Sequence, residues 1–118
     1  MKVAALSSGS AGNCFYIEKG ESAILIDAGI NAKRINESLS KIKLNAKKIK
    51  GIFITHEHID HVRGADVFAR QLKIPIFATK GTINNSFLCS DESLLNQIKN
   101  NEIIKMAGLQ ILKGPLPI

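Results

Sequence analysis

The sequence contains no apolar run near the roughly 18 residues that a membrane-spanning helix requires, which excludes a transmembrane reading. Its opening, Met1-Lys2-Val3-Ala4-Ala5-Leu6, has one charge and too short an apolar stretch for a signal peptide, and polar Ser7-Ser8-Gly9-Ser10 follows at once. A cytoplasmic location is therefore expected. Cysteine is scarce: Cys14 and Cys89 lie far apart, form no Cys-x-x-Cys pattern and read as ordinary reduced thiols. No internal repeat or low-complexity segment interrupts the chain. Acidic residues are outnumbered, 10 Asp and Glu against 16 Lys and Arg, for a formal net charge of +6. Lys41, Lys43, Lys47, Lys48 and Lys50 hold much of that excess, with no aromatic residue interleaved as a base-stacking surface would want. Two readings of this stretch stand side by side: a solvated connector, or a surface for polyanionic partners bound through phosphate contacts.

What is present is an ordinary globular balance. The chain has 118 residues, 45% hydrophobic and 22% charged, which fits one domain or part of one and argues against intrinsic disorder. Lys2 to Leu6, Cys14 to Glu18 and Ser22 to Asp27 read as three short strands in an antiparallel meander, joined by the Gly/Ser-rich turn Ser7 to Asn13 and by Lys19-Gly20-Glu21. Ala32 to Lys43 has the spacing of a helix, with Ile35, Leu39 and Ile42 on one face and Asn31 as N-cap. Gly51 to Thr55 reads as a buried strand. His61 to Lys73 reads as a second helix facing inward through Val62, Ala65, Ala69 and Leu72. Ile74 to Ala78 returns as a strand, with Pro75 near its start. Ser90 to Asn100 is expected to hold a short helix, and Glu102 to Met106 with Leu109 to Lys113 a hairpin turning at Ala107-Gly108. A meander followed by alternating strands and helices argues for a mixed α/β layer.

All three histidines fall within Thr55-His56-Glu57-His58-Ile59-Asp60-His61. His56 and His58 are two apart, so extended or turning backbone lets both rings point the same way. Asp60 and His61 follow where the second helix is expected to begin and can turn toward the same pocket. Asp60 alone would serve as a helix N-cap. Three clustered imidazoles are harder to explain by packing, since each needs a polar partner when buried. Neutral imidazoles with a carboxylate suit Zn²⁺, and also Mn²⁺ or Fe²⁺. A natural division gives His56 and His58 to one ion and Asp60 and His61 to a neighbour, so that two divalent ions activate a water and clamp the attacked group. Asp60 is then also the candidate catalytic residue. Glu57, between the ligands, is not assigned as a base.

These residues carry a resemblance. His56-x-His58-x-Asp60-His61 after Ile52-Phe53-Ile54-Thr55 resembles the signature of the metallo-β-lactamase-fold hydrolases, and Leu25-Ile26-Asp27-Ala28-Gly29 looks like that superfamily's first motif. Ser7-Ser8-Gly9-Ser10-Ala11-Gly12-Asn13-Cys14 is similar to the WalJ/YycJ-type branch, bacterial proteins that include DNA exonucleases. The likeness runs from Val3 to about Ala78 and more loosely to Ile118. It implies the same pairing of metal ligands, with His56 and His58 on one ion and Asp60 and His61 on the other. It also implies that Asp27 supports the ligand loop from behind, and that Ser10 and Asn13 lie on a loop bordering the metal pocket where substrate would sit. Without a Gly-Lys-Ser/Thr ending, the Gly/Ser opening is no P-loop.

The family completes its site with a further histidine, a bridging aspartate and a last histidine, all from the second half of an αββα sandwich. No histidine follows His61 here. The expectation is thus the N-terminal half of that sandwich: residues 1–118 as a partial domain, truncated or split, with weak metal binding and little turnover. Its partners are expected to be DNA, a separate C-terminal half, or a second copy meeting the uncovered sheet. The leading function is a metal-dependent hydrolase, a DNA phosphodiesterase or exonuclease. The alternatives are a non-catalytic remnant, a subunit of a split protein, and a hydrolase of thioesters or lactones, since fold alone does not separate such chemistries.

Overall fold

Strand β1 (Lys2–Ser7) pairs antiparallel with β2 (Cys14–Lys19), and β2 with β3 (Ser22–Ile26), which forms the expected meander. The computed structural model describes residues 1–9, 12–55, 62–99, 102–106 and 108–112. After β3 the chain changes mode. Helix α1 (Ala32–Lys41) carries it back to β4 (Ile49–Phe53), helix α2 (Ala65–Leu72) leads to β5 (Ile76–Thr79), and helix α3 (Lys80–Asn85) precedes β6 (Leu95–Ile98). Strands β3 to β6 run parallel, giving one six-stranded mixed sheet in the order β1-β2-β3-β4-β5-β6. Strands β7 (Ile103–Met106) and β8 (Leu109–Leu112) form a separate hairpin, as the sequence predicts.

The central strands are apolar on both sides because both faces are covered. On one face Tyr16, Leu25, Ile52 and Ile76 are buried against Ile35 and Leu39 of α1 and Phe68 of α2. On the other, Ile24 and Phe53 are buried with Ile17, Ile26 and Phe77, under Ile104, Met106 and Ile111 of the hairpin. Phe53 and Phe77 stack there, with centroids 4.6 Å apart. No helix among the described residues is long and apolar enough to cross a membrane.

Capping sets the helix limits. The Asn31 side chain accepts from the Arg34 N–H at 2.9 Å, as expected of an N-cap. Helix α1 ends before Ile42 rather than at Lys43, which adopts φ 60°, while the Leu44 N–H reaches back to the Leu39 carbonyl at 2.8 Å. Helix α2 has Gly64 as its N-cap; the expected start at His61 lies outside the described residues. One expectation is corrected. Ser90 to Lys99, the described part of the expected helix, forms no α-helix: Asp91 caps a single 3₁₀ turn, Glu92–Leu94, and Leu95–Ile98 pairs in parallel with β5. Leu95 and Ile98 fit helical spacing, but the edge of β5 supplies the backbone partners that decide the matter. Helix α3 goes unread in the sequence, since Gly81, Thr82, Asn84 and Asn85 are poor helix formers.

Asp66 ties α2 to the segment before β6. Its Oδ1 accepts from Arg70 Nε at 2.7 Å, from the Ser90 N–H at 2.9 Å and from Ser90 Oγ at 3.0 Å. The Arg70 hydrogen bond, with those from Ser90, holds the carboxyl well below its ordinary 3.8, at about 2. Because the folded value is depressed, the stabilisation is complete above about pH 4 and disappears as pH falls toward 2. Asp66→Ala is expected to lose ~1–2 kcal/mol at pH 7, and almost none of that at pH 2. Urea denaturation of both proteins at the two pH values checks this.

Candidate metal centre

Residues 56–61, with the expected ligands His56, His58, Asp60 and His61, lie outside the described residues, as does Ser10. Among the described residues no group of three or more His, Cys, Asp or Glu gathers as a metal site would require. What the structure provides is the frame that borders the motif on both sides.

That frame begins where β3 and β4 end side by side, Ile26 beside Phe53. The carboxyl ends of adjacent parallel strands are the usual place for a site in such sheets. Asp27 follows β3 in the left-handed region at φ 65°, only 3% exposed, and its N–H donates to the Phe53 carbonyl at 2.8 Å. Aspartate tolerates this backbone better than most residues. Its carboxylate accepts from the Thr55 N–H at 2.8 Å and from Thr55 Oγ1 at 2.8 and 3.0 Å. Thr55 immediately precedes His56. A buried carboxylate thus fixes Thr55, the residue ahead of His56.

The far side of the motif is fixed on the same segment. The Gly64 N–H donates to the Ala28 carbonyl at 2.6 Å, and a Cβ at Gly64 would lie 2.0 Å from the Ile30 carbonyl oxygen. Residues 27–30 therefore hold Thr55 on one side of positions 56–61 and Gly64 on the other. The segment is itself pinned from below. The Gly29 N–H donates to the Asn13 carbonyl at 2.8 Å, and a Cβ at Gly12, whose φ is 110°, would come within 2.3 Å of the Gly29 oxygen.

Asn13 has a visible structural task. Its Oδ1 accepts from the Gly9 N–H at 3.1 Å, and Ser7 Oγ donates to the Gly12 carbonyl at 2.6 Å, so Ser7 and Gly9 are tied to Gly12 and Asn13, which bear on Gly29. Cys14, fully buried beside this loop, is raised to about 12 by burial and by the Asp27 charge. It stays a neutral thiol at pH 7. Sequence reasoning finds Asp27 but misses Thr55, Gly12 and Gly64. The threonine adjoining His56 is a signal that could have been used; the two glycines reflect close approaches between backbones distant in sequence and leave no local pattern.

The donor set of the motif, three imidazoles and a carboxylate, fits one or two divalent ions of the zinc type.

A profile of the metallo-beta-lactamase superfamily matches residues 8–104. The chain is 39% identical over 79 residues to Exodeoxyribonuclease YycJ of Bacillus anthracis, covering 67% of this chain and 30% of that protein. It is 40% identical over 81 residues to Exodeoxyribonuclease WalJ of Streptococcus pneumoniae, covering 69% and 30%. Ribonuclease J of Helicobacter pylori is 32% identical over 87 residues, covering 64% and 13%. The chain thus spans about 30% of the length of the first two relatives. Among solved structures, the metallo-β-lactamase SMB-1 superposes with a TM-score of 0.75 at 15% identity, covering 90% of this chain and 47% of that one, a likeness of fold alone.

Proposed function

This chain belongs to the metallo-β-lactamase superfamily, and from that premise we propose that it is the motif-bearing part of a metal-dependent phosphodiesterase acting on DNA. The observation that carries the proposal is the clamp of Asp27 on Thr55, directly ahead of His56, with Gly64 fixed on the same segment. DNA is preferred because relatives near 40% identity are named exodeoxyribonucleases, whereas the ribonuclease match is weaker in identity and in coverage.

In this proposal His56 and His58 hold one divalent ion and Asp60 and His61 a second, zinc by preference with manganese or iron as alternatives. When bound, such ions supply Lewis-acid charge and water activation for attack at phosphorus. Asp60 is the catalytic candidate among the ligands. Asp27 keeps the ligand loop in one conformation, so that little ordering remains for substrate or metal to accomplish. Ser10 and Asn13 border the pocket, with Asn13 shaping the loop and Ser10 the candidate to meet substrate.

Residues 1–118 act in this reading as a partial domain. Two protein ligands per ion fall short of the three or four that hold zinc firmly, so the chain alone binds metal weakly and turns over little DNA. Completion requires ligands from a further protein segment. Calorimetric titration with Zn²⁺, together with a cleavage assay on labelled DNA and RNA, tests this. The expected result is weak binding, abolished in His58→Ala, with little cleavage. Tight uptake of two ions by the chain alone, with turnover, contradicts the partial-site reading. Binding that survives in His58→Ala contradicts the ligand assignment.

A further inference from the structure

The lysine stretch is the sequence feature that the proposed site does not absorb, and the fold places it at the opposite end of the sheet. The motif leaves the carboxyl end of β4 at Thr55, while Lys47, Lys48 and Lys50 surround the amino end of that strand at Ile49. At the ~3.3 Å rise of an extended residue, the two ends are separated by about 20 Å. Helices α1 and α2 both return to this end and terminate there in lysines, Lys41 and Lys43 after α1 and Lys73 after α2.

Three backbone features show how these side chains are presented. Strand β4 carries a bulge, since Ala23 pairs with Ile49 but Leu25 with Ile52; the extra residue turns Lys50 out to solvent while Ile49 and Ile52 both stay buried. Lys43 (φ 60°) and Lys73 (φ 54°) occupy left-handed positions that glycine or asparagine fills with less strain. Lys48 is paired with Glu18 at 3.2 Å. Other acidic groups near this end are Glu21 in the β2–β3 turn and Asp91 and Glu92 ahead of β6, on either flank of the lysines. Lysine near a helix C-terminus is favourable for the helix dipole in any protein, but the dipole does not account for Lys47 and Lys50, which end no α-helix.

We infer that the amino-terminal edge of the parallel sheet, through Lys41, Lys43, Lys47, Lys50 and Lys73, is a binding surface for the nucleic-acid backbone, separate from the metal motif. This rests on the proposed function for its choice of polyanion. The surface reads charge rather than sequence, because no aromatic ring stands among the lysines to stack a base. It holds a strand about 20 Å from the point of cleavage, about six steps of duplex at 3.4 Å each.

The test is fluorescence anisotropy of a labelled single-stranded DNA oligonucleotide with the 118-residue chain in EDTA, over a series of salt concentrations. Removing three lysine–phosphate pairings on a single strand takes about 2 off the slope of log affinity against log salt. The variant Lys43→Gly/Lys47→Gln/Lys50→Gln is expected to show that drop, with at least tenfold weaker binding at low salt and no loss of fold by circular dichroism. A matched variant at the motif end, Lys33→Gln/Lys80→Gln/Lys99→Gln, is expected to change the slope much less. Equal changes in the two variants, an unchanged slope in the first, or equally effective displacement of DNA by poly-glutamate would each overturn the inference. DNA cleavage is read separately: a chain that binds through these lysines but yields no metal-dependent cleavage, even when the site is completed, defeats the hydrolase reading and leaves this one standing.

Discussion

Gly64→Ala is expected to unfold the chain at room temperature or to cost at least ~3 kcal/mol, well above the usual range for an overpacked position. The added Cβ would lie 2.0 Å from the Ile30 carbonyl oxygen and 3.1 Å from Ile35 Cδ1. The first clash is with backbone, so no rotamer change relieves it. Relief requires residues 27–30 to separate from α2, which would also break the 2.6 Å hydrogen bond from the Gly64 N–H to Ala28. Gly81→Ala is the control. That glycine lies in α3, and a Cβ added there would have no neighbour within 4 Å, so alanine is expected to stabilise by ~0.5–1 kcal/mol. Thermal denaturation of the two variants checks the pair. Equal melting temperatures would mean that residues 27–30 pack on Gly64 more loosely than these distances require.

The second large effect is expected at Asp27. Asp27→Ala leaves the Thr55 N–H and hydroxyl without their carboxylate partner and puts alanine at φ 65°, for an expected loss of ~3 kcal/mol. Asp27→Asn keeps an oxygen acceptor and a residue that tolerates left-handed backbone, so its loss is expected to stay near ~1 kcal/mol. Urea denaturation separates the two. Similar values for both would show that the charge, rather than hydrogen-bond geometry, makes Asp27 necessary.

How far the sequence discloses the fold depends on how local each decision is. Asn31 starts α1 by bonding to a backbone group three residues on, and the meander follows from short strands separated by tight turns; such features are legible. The misread segment and the unread one are decided at long range. Leu95–Ile98 becomes a strand because β5 offers an open edge, and Lys80–Asn85 becomes a helix despite weak propensity, with Thr82 buried and its carbonyl accepting from Ser86 Oγ at 2.6 Å. The same division runs through the candidate site. The histidine motif and Asp27 stand out directly, by residue type and spacing alone. Gly12 and Gly64 do not, because what they permit is the close approach of chain segments far apart in sequence. The opposed placement of motif and lysines along β4 likewise emerges only once the parallel pairing of β3, β4 and β5 is known.

The central proposal is that the contacts of residues 27–30 with Thr55 and Gly64, on either side of the histidine motif, favour divalent-metal binding by that motif. It is tested most directly by the Zn²⁺ affinity of Asp27→Asn against that of the unmodified chain, with fold monitored by circular dichroism. The expected result is affinity lower by about 10-fold, the low end for a disturbed outer partner, because the amide keeps only one of the two oxygens that Thr55 bonds, with the fold retained. Unchanged affinity in a folded Asp27→Asn protein would contradict it.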